Sequence, residues 1–408
     1  MRFSLPVPKM IAEARTQVRF KREQIPAPVD LIIEIAIFIL VFLICALVLQ
    51  TGAGIIFLIP IFLMSNVFSD GSAFILQEGQ SPFDPEVIDA ITAQMGSMPA
   101  MNIATLLATV GSIVGVIIYC RFIERRKLAT MGFRRKRIIR EYFVGLIIGA
   151  AMFGTAVLIA VGAGTMSYKG LAGASTLLIV MFFLGFMVQS MSEEVVFRGY
   201  FLTTLARRQH IAVAVFISSC LFGAAHLLNS NVVALGIVNI ILFGCVEGIY
   251  MLKRGSIWGA AAIHLAWNFT QGNVFGISVS GMTPQPSVFL FESSTEGALI
   301  NGGAFGIEAG LAASVVLVIM IVICLLMKCS DPAPRVLAGS DGGSQVLATP
   351  EAQQQQYWPP PSMPLFPPQG SPLYPPGSPL GSSSYPPESP PEPPAESPPG
   401  SPPGSPLE

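Results

Sequence analysis

The chain has 408 residues, of which 52% are hydrophobic and 12% charged, with a formal net charge of -1. A mean hydropathy of +0.64 excludes an ordinary soluble globule and points to a multi-spanning membrane protein. The near-zero charge, with no basic domain, excludes nucleic acid as a partner class.

Residues 1–30 form a charged N-terminal segment, and the apolar run 31–49 is too long and too far in for a cleaved signal peptide, so it reads as a retained first span. The short apolar piece at 52–64 either extends that span or forms a re-entrant or interfacial segment. Residues 66–100 hold five acids and no Lys or Arg, whereas 121–140 hold nine Lys or Arg; the positive-inside rule puts the first outside and the second in the cytosol. Further spans read at 102–120, 142–163, 172–206, 211–228, 232–252, 256–276 and 306–327. The fold class is thus all-α, a polytopic bundle of about eight helices, with both termini in the cytosol of what reads as a bacterial plasma membrane. The domain reading is 31–120 for the first two spans, 121–328 for a core, and 329–408 for a cytosolic tail. That tail is rich in Pro, Ser and Gly, which predicts disorder with PPII character and either a plain linker or a ligand for a Pro-recognition domain. The six cysteines sit in or beside apolar runs without metal or disulfide spacing and read as core residues.

One stretch breaks the apolar pattern. Ser192–Phe201 brings Glu193, Glu194 and Arg198 into a membrane helix, where ionisable groups are costly and are therefore paired, turned inward and functional. Glu194 and Arg198 are i, i+4 neighbours that neutralise each other; Glu193 points about 100° away and has no partner within the motif. Two of the three histidines also lie in spans: His226, four residues after Phe222, and His264, four residues before Asn268, each pair sharing a helix face. Glu193 lies as far before the turn at Gln209 as His226 lies after it, about 25 Å along antiparallel helices. The group thus predicts one cavity, opening towards the cytosol. Glu247 reads as a snorkelling acid near Lys253, with partnership to His264 as the functional alternative.

A carboxylate, two imidazoles and a carboxamide in a low-dielectric cavity suit amide hydrolysis, the carboxylate taking a proton from water and the other groups stabilising the oxyanion. Ser192 and Ser218 lack the partners for a serine triad. Glu193, His226 and His264 with a water are also a possible Zn²⁺ donor set, although H-E-x-x-H spacing is missing.

These three ordered motifs, Glu-Glu-x-x-x-Arg at 193–198, Phe-x-x-x-His at 222–226 and His-x-x-x-Asn at 264–268, resemble those of the CPBP family of intramembrane proteases. That family includes the Ras-converting CAAX endopeptidase and bacterial Abi proteins. The similarity covers about residues 120–275, including Arg126–Phe133 and Gly-Ser-Ile-Trp at 255–258. The resemblance implies an endopeptidase acting on membrane-embedded or lipid-anchored, CAAX-like substrates. It implies that Glu193 with His226 activates water and that His264 with Asn268 forms the oxyanion hole. Glu194, Arg198 and Phe222 would support the site or hold the substrate's peptide end. The family has been described both as metalloproteases and as glutamate-dependent, so zinc stays open; the spacing of His264 and Asn268 mildly favours the metal-free form. The competing readings are a non-catalytic immunity or scaffold protein of the same fold, and a proton-coupled transporter using the acids as relays.

Overall fold

The structure is a computed structural model that describes residues 7–17, 25–64, 98–135, 137–282 and 286–332, with two short strands at 336–338 and 344–346. The chain divides into the units Met1–Thr349 and Pro350–Glu408, and the second lies outside the described residues, as does the acidic stretch at 66–97.

After a short α1 (Lys9–Thr16) the chain enters helices α2 (Ala27–Phe57), α3 (Pro99–Ile123), α4 (Ile138–Gly162), α5 (Thr176–Ala206), α6 (Ile211–Ala224), α7 (Ala234–Arg254) and α8 (Ile257–Phe269). A four-residue helix α9 (Ala298–Asn301) and α10 (Leu311–Leu326) follow. The protein is thus a mostly helical, multi-pass membrane protein. Against the expected eight spans, five helices among the described residues (α2 to α5 and α7) are long and apolar enough to cross a bilayer; α6 and α10 are apolar but shorter. The piece at 52–64 continues α2 as helix.

Side chains such as Leu40, Leu47, Leu158, Phe216 and Leu326 are exposed on the outer faces, as lipid-facing residues should be. Inside, small residues let backbones approach. A Cβ on Gly145 or Gly149 of α4 would run into the carbonyl oxygens of Gly259 and Ile263 on α8, so glycine there permits a close helix crossing.

The basic end is held by buried polar groups. The Arg126 guanidinium donates to the Gly199 carbonyl at 2.9 Å, to Thr203 Oγ1 at 2.8 Å and to Thr204 Oγ1 at 3.1 Å. Gly199 belongs to a π-helical stretch, Val195–Leu202, inside α5, and Arg126 supplies a donor where the ordinary helical ladder is displaced. Arg208 pairs with Asp30 at 2.6 Å and Arg254 with Glu141 at 2.8 Å. Lys253 donates to the Leu325 and Met327 carbonyls at 2.8 and 2.7 Å, closing the end of α10.

The opposite end carries β1 (Met166–Leu171) antiparallel to β2 (Phe289–Ser293) and a folded connection from 270 to 310 that no periodicity in the sequence announced. Its turns depend on glycine at Gly281, which has φ +84° and whose Cβ would strike the Ser230 carbonyl. At 329, where the tail was expected to begin, the described residues are still tied to the body. Ser330 N–H donates to the Lys253 carbonyl at 2.8 Å, Lys9 N–H donates to the Asp331 carbonyl at 2.9 Å, and Arg134 pairs with Asp331. Beyond it, β3 (Val336–Ala338) pairs with β4 (Ser344–Val346). Residues 347–408 lie outside the described residues.

Candidate active site

α5, α6 and α8 converge just beyond the π-helical stretch. Glu193 and Glu194 end the regular part of α5, and their divergent directions put them on opposite edges of one ring, His264 of α8. Oε1 of Glu194 is 3.0 Å from His264 Nδ1, and Oε2 of Glu193 is 3.6 Å from His264 Nε2. Because Glu194 can only accept when ionised, the Nδ1 proton points to it and Nε2 faces Glu193.

Glu194 is fully buried, and its Oε1 also meets Arg198 at 3.1 Å, the i, i+4 pair that the motif predicts. Arg198 is 1% exposed, and its guanidinium carbon stands 4.1 Å over the Phe222 ring, a cation–π contact. Phe222 therefore seals Arg198 away, and its carbonyl accepts from His226 Nδ1 at 2.8 Å. That bond commits His226 Nδ1 and leaves Nε2 for the cavity.

Two residues that the motifs do not contain complete the arrangement. Gln189, one turn before Glu193, donates through Nε2 to Glu193 Oε1 at 2.6 Å and accepts at Oε1 from Asn268 Nδ2 at 3.2 Å, so a single amide fixes both groups. The i, i+4 spacing of Gln189 and Glu193 was a readable signal. Glu247 of α7 does not reach Lys253, whose ammonium is taken by α10 carbonyls; instead it is fully buried beside Glu194 and His264. The snorkelling reading is thereby corrected: a straight helix turns Glu247 inward, since its outer face meets lipid. Of the serines, Ser218 is committed to the Phe197 carbonyl at 2.8 Å.

Glu193, His226, His264 and Asn268 all line one cavity of about 370 Å³. Its walls also include Gln50, Thr105, Ser280 and Glu308, from outside the predicted motifs. The cavity was expected to open towards the basic, cytosolic end. Its lining instead runs from Glu193 to Asn229, Ser230 and Met282, the end of α6 remote from Arg207 and Arg208, because α6 stops at Ala224 and His226 sits in the turn that follows.

The donors present do not assemble the zinc set that the sequence suggested. Among the described residues, the trio whose ligating atoms lie within 4.8 Å of one another is Glu194, Glu247 and His264, not Glu193, His226 and His264. At that trio Arg198 already presents a positive charge to Glu194. The arrangement does not fit zinc at the expected set, and the chemistry below uses side chains and water.

A multi-pass helical membrane protein with ionisable groups converging on a buried cavity is the class these observations define. Residues 174–270 match the family model described as "Type II CAAX prenyl endopeptidase Rce1-like". This match over about a quarter of the chain supports membership of the CAAX-protease (CPBP) family. No curated protein and no solved structure matched the chain.

Proposed function

We propose that the protein is an intramembrane endopeptidase that hydrolyses peptide bonds of membrane-associated substrates. The observation that carries this reading is the 3.6 Å gap between Glu193 Oε2 and His264 Nε2 at the wall of the cavity. Glu193, with 26% of its side chain exposed, is the less buried of the two adjacent glutamates. Its Oε2 is buried and makes no hydrogen bond, and in this proposal it takes a proton from a water that enters the cavity.

In the proposed reaction, water adds through oxygen to the scissile carbonyl carbon while its proton passes to Glu193. The oxyanion is met by the second N–H of Asn268 Nδ2 and by imidazole N–H from His264 or His226. As the carbon–nitrogen bond breaks, the proton returns from Glu193 to the leaving amine. Gln189 holds the base and the amide donor at fixed separation, and Glu194 stabilises positive charge on the His264 ring. The expected division, with His226 beside Glu193, shifts in this proposal: His264 is the imidazole nearest the base. Both termini in the cytosol of a bacterial membrane, a lipid-anchored substrate and a Pro-recognition partner for the tail belong to the same proposal, supported by the positive-inside pattern, the family and the composition.

The test is reconstitution in liposomes with a membrane-inserted peptide, products being read by mass spectrometry. New N and C termini at one internal bond, lost with Glu193→Gln, are expected. Vectorial uptake of the peptide or of protons without cleavage would overturn the protease reading in favour of transport.

A further inference from the structure

Peptide hydrolysis consumes a water, and Glu193 stands inside a bundle of apolar helices whose backbone groups are bonded within each helix. A water on its way there therefore needs side-chain partners, roughly two to four at each stop. α3 provides such groups on one face. Thr105, Thr109 and Ser112 all line the cavity that holds Glu193, and at about 100° per residue their directions fall within about 60° of arc. They grade from exposed at Thr105 through half-buried at Thr109 to buried at Ser112. Thr105 is near the start of α3, at the end remote from Arg121 and Arg125, and Ser112 lies deeper.

Two contacts fix how deep. A Cβ on Gly185 of α5 would stand 3.1 Å from the Leu106 side chain of α3, and the Tyr119 and Tyr200 rings lie 5.3 Å apart between centroids. The two helices thus run side by side in the same direction. Ser112, about midway between Leu106 and Tyr119, comes level with about residue 192, the neighbour of Glu193. Gln50 of α2 joins the stripe at this depth. It ends a π-helical stretch, Cys45–Gln50, where the two backbones lie so close that a Cβ on Gly111 of α3 would strike the Leu49 carbonyl.

Each hydroxyl proton is spent nearby. Thr105 donates to the Met101 carbonyl at 3.0 Å, Thr109 to the Leu106 carbonyl at 2.6 Å and Ser112 to Gln50 Oε1 at 3.4 Å. Three hydroxyl oxygens are left to accept, and the Gln50 amide N–H groups are left to donate. A back-bonded hydroxyl is not by itself a water site: Thr155 of α4 donates to the Ala151 carbonyl at 2.7 Å, yet it is exposed and lies outside the cavity wall. The α3 hydroxyls differ in sharing one face, in deepening step by step and in ending level with the proposed base.

Resting on the endopeptidase reading, we propose that Thr105, Thr109, Ser112 and Gln50 form a water-binding stripe along which hydrolytic water reaches Glu193. All four lie outside the matched stretch 174–270. They are positioning residues: the hydroxyl oxygens accept from water, the Gln50 amide donates to it, and none of them takes part in making or breaking a bond. The cavity, at about 370 Å³, has room for several waters at about 30 Å³ each.

The experiment uses the full-length protein in liposomes, with one new cysteine per variant and a water-soluble thiosulfonate whose adducts are located by mass spectrometry. Only an ionised thiol reacts, so labelling reports water at the sulfur. Thr109→Cys and Ser112→Cys should label roughly tenfold faster than Val114→Cys, on the exposed outer face of the same helix. In a second arm, Thr109→Val combined with Ser112→Ala should lower kcat on a membrane-inserted peptide roughly tenfold, with KM within about twofold and thermal unfolding unchanged. Thr109→Ser, which keeps the hydroxyl, and Thr155→Val should both keep the natural rate. Fast labelling at 109 and 112 without any cleavage by the natural chain would remove the protease reading and leave the water stripe standing. Labelling there as slow as at 114 would overturn the stripe whether or not peptides are cut. A natural kcat in the double variant would overturn it too, because water would then reach Glu193 by another way. Should Ser112→Cys not fold, labelling of the half-buried Thr109→Cys decides.

Discussion

His264 Nδ1 stands 3.0 Å from Glu194 Oε1, so the proposed catalytic ring is aimed by a carboxylate that is itself fully buried and paired with Arg198. Adjacent glutamates thereby take different jobs. Glu194 orients the ring from behind, and Glu193 faces its other nitrogen across a gap in the cavity wall.

Glu193→Gln is expected to lower peptide cleavage by a factor of about 10² to 10⁴, the usual worth of a general base, with unchanged thermal unfolding. The amide keeps size and one acceptor but cannot take the proton. Turnover within a few fold of the natural chain would remove Glu193 from the base role.

Glu194→Ala should act on stability first. It strips Arg198 of its carboxylate partner in a site where the guanidinium is almost fully enclosed, and breaking a buried pair from one side costs roughly 3–5 kcal/mol. Thermal unfolding in detergent should show a clear drop, and Glu194→Gln a smaller one. An unchanged melting temperature in Glu194→Ala would mean that the pair carries no structural load.

Chelator treatment followed by elemental analysis tests the metal question. Cleavage is expected to persist after stripping, since the expected zinc donors do not close on one point whereas Glu193 and His264 already face each other. Loss of activity that Zn²⁺ alone restores would establish a metal centre.

Two truncations should differ sharply. Removing 350–408 is expected to leave cleavage of a short peptide unchanged. Removing 329–408 also deletes Ser330 and Asp331, which bond to Lys253, Lys9 and Arg134, and should lower the melting temperature measurably. Equal stability of the two would show that the junction contributes nothing.

Gly149→Ala inserts a methyl group against the Ile263 carbonyl one residue from His264. Overpacking of this kind costs typically about 1–3 kcal/mol, and displacement of α8 should reduce kcat more than it raises KM. A variant as active and stable as the natural chain would mean that α4 and α8 can separate freely.

The residues of the candidate site stood out in the sequence because intramembrane charge has few explanations. Glu193, Glu194, His226, His264 and Asn268 stood out against apolar helices, and i, i+4 spacing gave the Glu194–Arg198 pair and the Phe222–His226 contact correctly. Gln189 was missed because an uncharged amide in a helix raises no alarm, although it bridges base and donor. Glu247 was misjudged since distance along the chain to Lys253 says nothing about which face is inward. The direction of the cavity was also misread: equal distance from the turn at Gln209 put Glu193 and His226 level but could not say on which side of them the space lies. Residues 277–305, between the expected spans, have neither period 2 nor period 3.6, so the connection that brings Ser280 to the cavity wall had no sequence signature.

The cavity wall has two sources. Gln189, Glu193, His226, His264 and Asn268 lie within the matched stretch 174–270, whereas Gln50, Thr105, Ser280 and Glu308 lie before or after it. In the proposed reaction the groups assigned to bond breaking thus lie within the matched stretch, while part of the remaining wall lies outside it. If the proposed reaction holds, substitutions at Gln50, Thr105, Ser280 or Glu308 would reshape the wall without touching the groups assigned to the chemistry.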